Sequence, residues 1–297
     1  MVQNYILGIF LAIFAGIVAS SGNILQKNAV NKIPKEQRDE KFIRTLLKSP
    51  SWLFGSILSY GVSSGLIIFA QVFIGPALIP GLFASGLIVL AIGSIKLLNE
   101  SLKFIEILGI LIIVAGITFL GFSELDIPVS EIKALDLMLI VRVAIFSGIL
   151  MIFWIFTTFM AKKDIKNKGL ALAFSGGYLF ILGNLWTFAL ILTISAMIGG
   201  TSQILDIFVF IIVVFILIFS NLIAIKQTQE AYKYAQASIV QPSQEVPKQI
   251  APVFIYFLVF LKTAPIISLA FIILGSILVI MAGFLLGKRQ ADVGAID

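Results

Sequence analysis

Residues 207–225 read IFVFIIVVFILIFSNLIAI, an apolar run interrupted only by Ser220 and Asn221. A helix rises about 1.5 Å per residue, so a run of this length crosses the roughly 30 Å hydrocarbon core of a bilayer. The run lacks the polar–apolar alternation that a strand of a membrane barrel requires. Backbone polar groups must pair internally in lipid, so the segment predicts a transmembrane helix.

The rest of the chain has the same character. Its 297 residues are 60% hydrophobic and 12% charged, with a mean hydropathy of +1.10, whereas soluble domains are about 25% charged. The predicted fold is an all-α polytopic membrane protein with about nine transmembrane helices. Ten is the alternative, because two of the spans are long and one of these is interrupted by polar residues. The predicted spans are 4–26, 51–72, 75–98, 104–122, 137–161, 169–198, 203–229, 234–261 and 264–287.

Lysine and arginine cluster in loops that fall on one side of these spans. The loops 27–50 and 162–168 and the residues after 287 are basic, whereas the loop 123–136 is acidic. Cytoplasmic loops carry the excess of basic residues, so we expect a cell-membrane protein with its N-terminus outside and its C-terminus in the cytoplasm. The net charge of +6 therefore indicates orientation in a lipid bilayer and not a nucleic-acid partner.

Two segments share an order of features. Residues 66–122 and 222–287 each contain an apolar run, a glutamine (Gln71 or Gln229), a proline, a second apolar run and a glycine-rich helix. Inverted repeats with a solute site between them are a common transporter design. The predicted organisation is an N-terminal transmembrane repeat, an extracellular linker, a C-terminal transmembrane repeat and a cytoplasmic tail, at residues 1–122, 123–136, 137–288 and 289–297.

Composition limits the chemistry available to the chain. Cysteine and histidine are both absent, so thiolate nucleophiles, imidazole bases and the usual zinc sites are excluded. No phosphate-binding loop of the G-x-x-x-x-G-K-[ST] type is present. We therefore expect neither an enzyme nor an ATP-driven pump, and no cofactor. A secondary carrier of a small polar solute or ion is the leading interpretation, and a membrane scaffold without transport activity is a rival.

Polar residues at membrane depth are costly and by default face a cavity, a partner or a pathway. The stretch 227–249 is the richest in them, and Pro242, Pro247 and Pro252 interrupt it. Each proline costs about 3 kcal/mol in a helix interior. The stretch predicts a broken helix that lines an aqueous cavity, with Glu245 as a metal ligand and Lys248 as its counter-ion. The alternative is that 241–250 is a solvated loop.

Other polar residues lie near span ends or inside apolar runs, while Glu100 is assigned to the polar cap of the helix that follows it. The predicted solute-binding residues are Gln229, Gln241, Glu245, Gln71, Asn23, Ser20, Glu230 and Asn221.

Short motifs resemble a known family. Residues 66–102 read LIIFAQVFIGPALIPGLFASGLIVLAIGSIKLLNESL, residues 19–27 read ASSGNILQK, and Thr228-Gln229 precedes SIVQP at 238–242. These resemble motifs of the drug/metabolite transporter superfamily, and more narrowly of its NIPA-type magnesium transporter branch. The resemblance implies a nine-span carrier that works by alternating access, with Mg²⁺ as the solute.

The chain departs from that pattern at two places. Gly61-Val62 stands where the family has a carboxylate, and Glu230-Ala231-Tyr232 replaces an asparagine-rich turn. Mg²⁺ is usually held by one or two carboxylates with retained waters, and Glu245 supplies one such carboxylate. An amide-rich site with one glutamate and one lysine equally suits an amino acid or another polar metabolite, so both solute classes stay open. No feature of the sequence specifies an oligomeric state.

Overall fold

The computed structural model describes residues 2–34, 42–74, 79–123, 137–163, 167–200 and 204–293, and the regular structure in these ranges is helical. Short π-helical segments at Ile57–Val62 and Ile255–Val259 each continue a neighbouring helix. The helices in the described ranges are, in order, α1 (Val2–Asn31), α2 (Phe42–Leu46), α3 (Pro50–Ser56), α4 (Ser63–Ile74), α5 (Ile79–Phe83), α6 (Gly86–Leu98), α7 (Phe104–Phe122), α8 (Leu137–Lys163), α9 (Lys168–Ile198), α10 (Ile204–Tyr234), α11 (Ala237–Phe254) and α12 (Ile266–Val293).

Long apolar helices confirm a multi-pass membrane protein. Among the described residues, seven helical segments are long and apolar enough to cross a membrane. They are Ile6–Asn31, Pro50–Ala70, Phe104–Phe122, Met138–Lys163, Lys168–Ile198, Asp206–Tyr234 and Ile266–Leu286. Each matches one predicted span. The count of nine is not confirmed, because the other two predicted spans, 75–98 and 234–261, have a different form.

The predicted span 75–98 contains two short helices. Residues 75–78 lie outside the described ranges, and the chain between α5 and α6 makes a turn in which Ser85 Oγ donates a hydrogen bond to the Leu82 carbonyl oxygen at 2.6 Å. Serine side chains that bind nearby carbonyls compete with helix formation. The turn packs against α1 so closely that a Cβ on Gly16 would lie 2.2 Å from the Phe83 carbonyl oxygen. Glycine is therefore required at this crossing.

The prediction of a broken helix at the prolines of span 234–261 is wrong. The interruption lies at residues 235–236, in the turn that joins α10 to α11, and this turn is called the break below. Helix α10 ends at Tyr234 and α11 begins at Ala237, and α11 contains Pro242, Pro247 and Pro252. The alternative of a solvated loop at 241–250 is wrong, because most of these residues are buried in a helix. A proline in a helix removes one N–H donor, and packing on several sides of α11 holds the helix together without those bonds.

Each half of the chain is organised around one helix. Helix α1 packs against α3, α4, α5 and α6, while α9 packs against α8, α10 and α11. The halves meet along α7 and α12, where a Cβ on Gly116 would lie 3.0 Å from the Gly275 carbonyl oxygen. Small residues allow helix backbones to approach this closely in membranes.

The predicted linker and tail fall largely outside the described residues. Residues 124–136 of the predicted extracellular linker lie outside the described ranges, as do residues 294–297 of the predicted tail. Helix α12 continues to Val293, so the first residues of the predicted tail are helical.

The close contact between α7 and α12 predicts that substitution of Gly116 lowers the stability of the protein. Gly116→Ala would place a Cβ 2.9 Å from the Val279 backbone nitrogen, and such overpacking typically costs about 1–3 kcal/mol. We expect the melting temperature of the purified protein in detergent to fall by several degrees. Gly148→Ala is the matched control, because nothing lies within 4 Å of its added Cβ. Equal melting temperatures for the two variants would contradict the contact.

Candidate functional site

Helix α11 has two faces of different chemistry. One face lines an apolar groove of about 430 Å³ against α8 and α9 and includes Val246 and Pro247. Side chains three and four residues apart lie on the same face of a helix. The polar residues at this spacing on α11 are Gln241, Gln244, Glu245 and Lys248.

A cavity of about 330 Å³ lies beside the polar face of α11. Its wall comes from both halves of the chain, with α1, α4 and α7 on one side and α9, α10 and α11 on the other. The polar side chains in the wall are Ser20, Asn23, Ser59, Tyr60, Ser64, Asn184, Asn221, Gln241, Gln244, Glu245, Lys248 and Gln249. Side-chain oxygens from both halves therefore face one space.

Glu245 is the carboxylate in the cavity wall, and it is paired. Its Oε1 forms an ion pair with Lys248 Nζ, as the sequence predicted, and its Oε2 accepts a hydrogen bond from Gln249 Nε2 at 3.1 Å. The Lys248 ammonium also lies 5.6 Å from the centre of the Phe180 ring. The formal charges of Glu245 and Lys248, the charged residues of the cavity wall, therefore cancel.

The opposite wall is organised by hydrogen bonds between α1 and the π-helical segment that precedes α4. Ser59 Oγ is 2.9 Å from the Ala19 carbonyl oxygen and 3.0 Å from Asn23 Oδ1. Ser20 lies one turn before Asn23 and also lines the cavity. These contacts orient the Asn23 amide beside the cavity.

Most of the predicted binding residues meet in this cavity. Ser20, Asn23, Asn221, Gln241 and Glu245 line it.

The other three predicted residues lie elsewhere or cannot be described. Gln229 is buried one layer beyond the cavity, where its Nε2 donates to Gln26 Oε1. Glu230 forms an ion pair with Lys233 at 2.7 Å and is not among the cavity-lining residues of the described chain. Gln71 belongs to α4, but its side chain lies outside the described part of the structure.

Sequence reasoning misplaced Glu100. Its carboxylate accepts hydrogen bonds from the backbone N–H groups of Ala237, at 2.8 Å, and Ser238, at 3.3 Å, and from Ser238 Oγ at 3.0 Å. Glu100 therefore caps the N-terminus of α11 in the other half of the chain. Asn99, with a left-handed φ of 55°, ends α6 and turns the chain towards α11. The Leu-Asn-Glu sequence was the available signal, since asparagine is favoured in this helix-ending conformation.

Lys27 caps the other side of the same break. Its ammonium donates to the carbonyl oxygens of Ala235, at 2.8 Å, and Tyr232 at the end of α10. Only 7% of its surface is exposed, although the sequence placed it in a basic loop. A cation at a helix C-terminus and a carboxylate at an N-terminus both complement the helix dipole. The N-terminal half thus supplies both charges that cap the break between α10 and α11.

Family comparison agrees with this architecture. The chain matches the family model described as magnesium transporter NIPA over residues 3–292. It belongs to the NIPA magnesium transporter family. The match covers both halves and every residue of the cavity wall, so the chain is a membrane transporter. No curated protein and no solved structure matches it significantly.

The cavity of this NIPA-family member suits a hydrated cation better than a dehydrated one. The described residues contain no cluster of three or more histidine, cysteine, aspartate or glutamate side chains. Mg²⁺ dehydrates reluctantly and commonly uses one or two carboxylates with retained waters. Glu245 and the surrounding amide oxygens match that kind of donor set. The scaffold interpretation would have been favoured by a sealed bundle beside 227–249, and the cavity found there argues against it.

Lys27→Met should destabilise the protein. The substitution leaves the carbonyl oxygens of Tyr232 and Ala235 without the ammonium group that caps them, and buried acceptors left unpaired cost about 1–3 kcal/mol. We expect a lower melting temperature in detergent. Lys32→Met, at an exposed position five residues later, is the control and should melt with the wild type. If both variants melt together, Lys27 does not stabilise the break.

Proposed function

We propose that this transporter moves Mg²⁺ across the bilayer by alternating access, with the solute site in the cavity between its two halves. The observation that carries the proposal is the cavity wall itself, in which the Glu245 carboxylate faces amide side chains from both halves. Such a wall offers oxygen ligands to a cation and changes shape when the halves move. Ser20, Asn23, Asn221 and Gln241 supply its neutral oxygens.

Cavity size supports a hydrated ion. Mg²⁺ prefers octahedral coordination by six oxygens, and a water molecule occupies about 30 Å³ in the liquid, so six waters need about 180 Å³. The cavity of about 330 Å³ accommodates that shell. Glu245 would then replace one water or bind the shell through hydrogen bonds, which avoids most of the dehydration cost.

Helix packing supports two inverted repeats of the drug/metabolite transporter type. Helices α7 and α12 are the glycine-rich helices of the two segments with the same order of features. Gly109 packs beside Leu286 while Gly116 packs beside Gly275, so the two helices run antiparallel. Equivalent helices of inverted repeats must run in opposite directions. The packing favours α9 over α8 as the counterpart of α1, because each is the central helix of its half.

The same arrangement supports the proposed membrane orientation. If α5–α6 and α11 with its π-helical segment are counted as interrupted spans, the seven long segments become nine. Lysines then cluster where α1 and α8 end and α9 begins, which favours an external N-terminus and a cytoplasmic C-terminus.

A zwitterionic solute is the second candidate, and one specific observation favours it. Glu245 and Lys248 present opposite charges side by side in the cavity wall. An amino acid would place its ammonium group on Glu245 and its carboxylate on Lys248. Mg²⁺, by contrast, is repelled by the Lys248 ammonium, which must turn away when the ion binds.

Glu245→Gln should abolish Mg²⁺ transport. The substitution keeps the shape of the side chain and removes the charge that attracts the cation, so we expect at least about a tenfold loss of influx, given that interactions with charged groups contribute about 1.5–3 kcal/mol. Influx is measured in proteoliposomes that contain a magnesium-sensitive dye. Glu230→Gln is the matched control, because Glu230 has a similar i,i+3 lysine partner but lies outside the cavity wall. Full influx in Glu245→Gln vesicles would contradict the proposed site.

Lys248→Gln separates the two candidate solutes, because its effect has opposite signs. For Mg²⁺, removal of the repelling ammonium should lower the concentration that gives half-maximal influx by several-fold. For an amino acid, the substitution removes the ammonium group that would bind the carboxylate of the solute. The concentration that gives half-maximal influx should then rise. Influx of Mg²⁺ and of a radiolabelled amino-acid mixture is measured in the same vesicles. Wild-type vesicles that take up amino acids and no Mg²⁺ would overturn the magnesium assignment.

A further inference from the structure

We infer that Lys27 and Glu100 form a gate at one end of the cavity. They clamp the break between α10 and α11 closed in the observed state, and both must release before solute can leave at that end. The inference rests on the proposed alternating-access function and names the contacts that close one side of its site. Lys27 and Glu100 act through the helix ends that they hold, so they are positioning residues and do not bind the solute.

A buried polar layer connects the cavity to this clamp. Gln241 lines the cavity and donates to the Tyr232 hydroxyl, and the Tyr232 carbonyl oxygen accepts from Lys27. Beside this chain of contacts, Gln26 pairs with Gln229 across the two halves. Several polar groups close together inside an apolar bundle are costly unless they face a pathway. The layer therefore marks the route between the cavity and the clamped end.

The layer is closed but incompletely satisfied. Gln26 and Gln229 are at most 1% exposed, and Gln229 Oε1 has no hydrogen-bond partner within the described residues. A buried polar atom without a partner destabilises the state that buries it. Water or a hydrated solute that enters the layer would satisfy this oxygen. The closed state thus depends on contacts elsewhere, and the clamp provides them.

The two halves are joined in two different ways. At α7 and α12 the backbones touch around Gly116 and Gly275, and separation there would lose close packing. At the clamp, the contacts are hydrogen bonds that the Lys27 side chain donates and the Glu100 side chain accepts, which water can replace at small cost. Domain motions use the tight contact as a hinge and the exchangeable contact as the opening. Rocking about α7–α12 would open the bundle at the clamp.

A single introduced cysteine can report the gate, because the chain has none of its own. Gln26→Cys places the thiol in the buried layer next to Lys27. We expect a membrane-impermeant maleimide to label it slowly in the otherwise wild-type protein. Adding Glu100→Gln weakens the cap on α11, so labelling should accelerate. We expect at least about a tenfold higher rate, since losing a hydrogen bond to a charged group changes an equilibrium constant by at least about that factor. The acceleration should occur from one membrane face only, when intact cells are compared with inverted vesicles.

Two further variants keep this test decisive. Glu230→Gln is the matched control, because it removes a carboxylate near the same end of α10 without touching the break, and labelling should not change. Ser238→Ala removes only the hydroxyl contact with Glu100, and a smaller acceleration of a few-fold is expected even if Glu100→Gln fails to fold. The gate is overturned if neither variant accelerates labelling, if Glu230→Gln accelerates it equally, or if both faces respond alike. Labelling needs no solute, so the gate can fail or stand independently of the Mg²⁺ assignment.

Discussion

Hydrocarbon offers no hydrogen-bond partner to a free backbone group, and each unpaired group costs several kcal/mol there. Helix ends that are buried in a membrane bundle must therefore be capped by the protein itself. In this transporter the break between α10 and α11 is closed by Glu100 on one side and Lys27 on the other. Both residues belong to the N-terminal half of the chain, which therefore caps helix ends that belong to the C-terminal half. The position of α11, and with it the polar wall of the cavity, depends on this exchange.

Helix α11 is the partition between two unlike environments. Glu245 and Lys248 face the polar cavity, while Val246 and Pro247, directly between them in sequence, line an apolar groove. A helix with internal prolines has fewer backbone hydrogen bonds to hold its shape, so its neighbours must hold it. Buried contacts on both faces do so, and they let a polar, proline-rich sequence remain helical where propensity alone would predict a loop.

The sequence was sufficient for the fold class and for five of the twelve polar residues of the cavity wall. Long apolar runs predict helices whatever packs against them, and residues such as Asn23 and Glu245 are recognisable because a polar group at membrane depth needs a reason. Glu100 and Lys27 were assigned wrongly, because a charged residue near the end of a span is most simply explained as exposed to solvent. Their partners lie 137 and 208 residues away along the chain, and no local pattern encodes contacts of that separation. The unbroken course of α11 through Pro242, Pro247 and Pro252 was missed for the same reason, since the helices that pack against α11 and hold it are distant in sequence.

The ion pair between Glu245 and Lys248 has an electrical consequence. Moving one elementary charge through the membrane potential is worth about 2.3 kcal/mol per 100 mV, so a divalent ion carries about twice that. Because the paired wall has no net charge of its own, the empty carrier of the proposed alternating-access cycle would return without electrical work, and the loaded carrier would bear the whole charge of its ion. Membrane voltage would then act on only one half of the cycle, and an inside-negative potential could drive uptake without a second coupled ion.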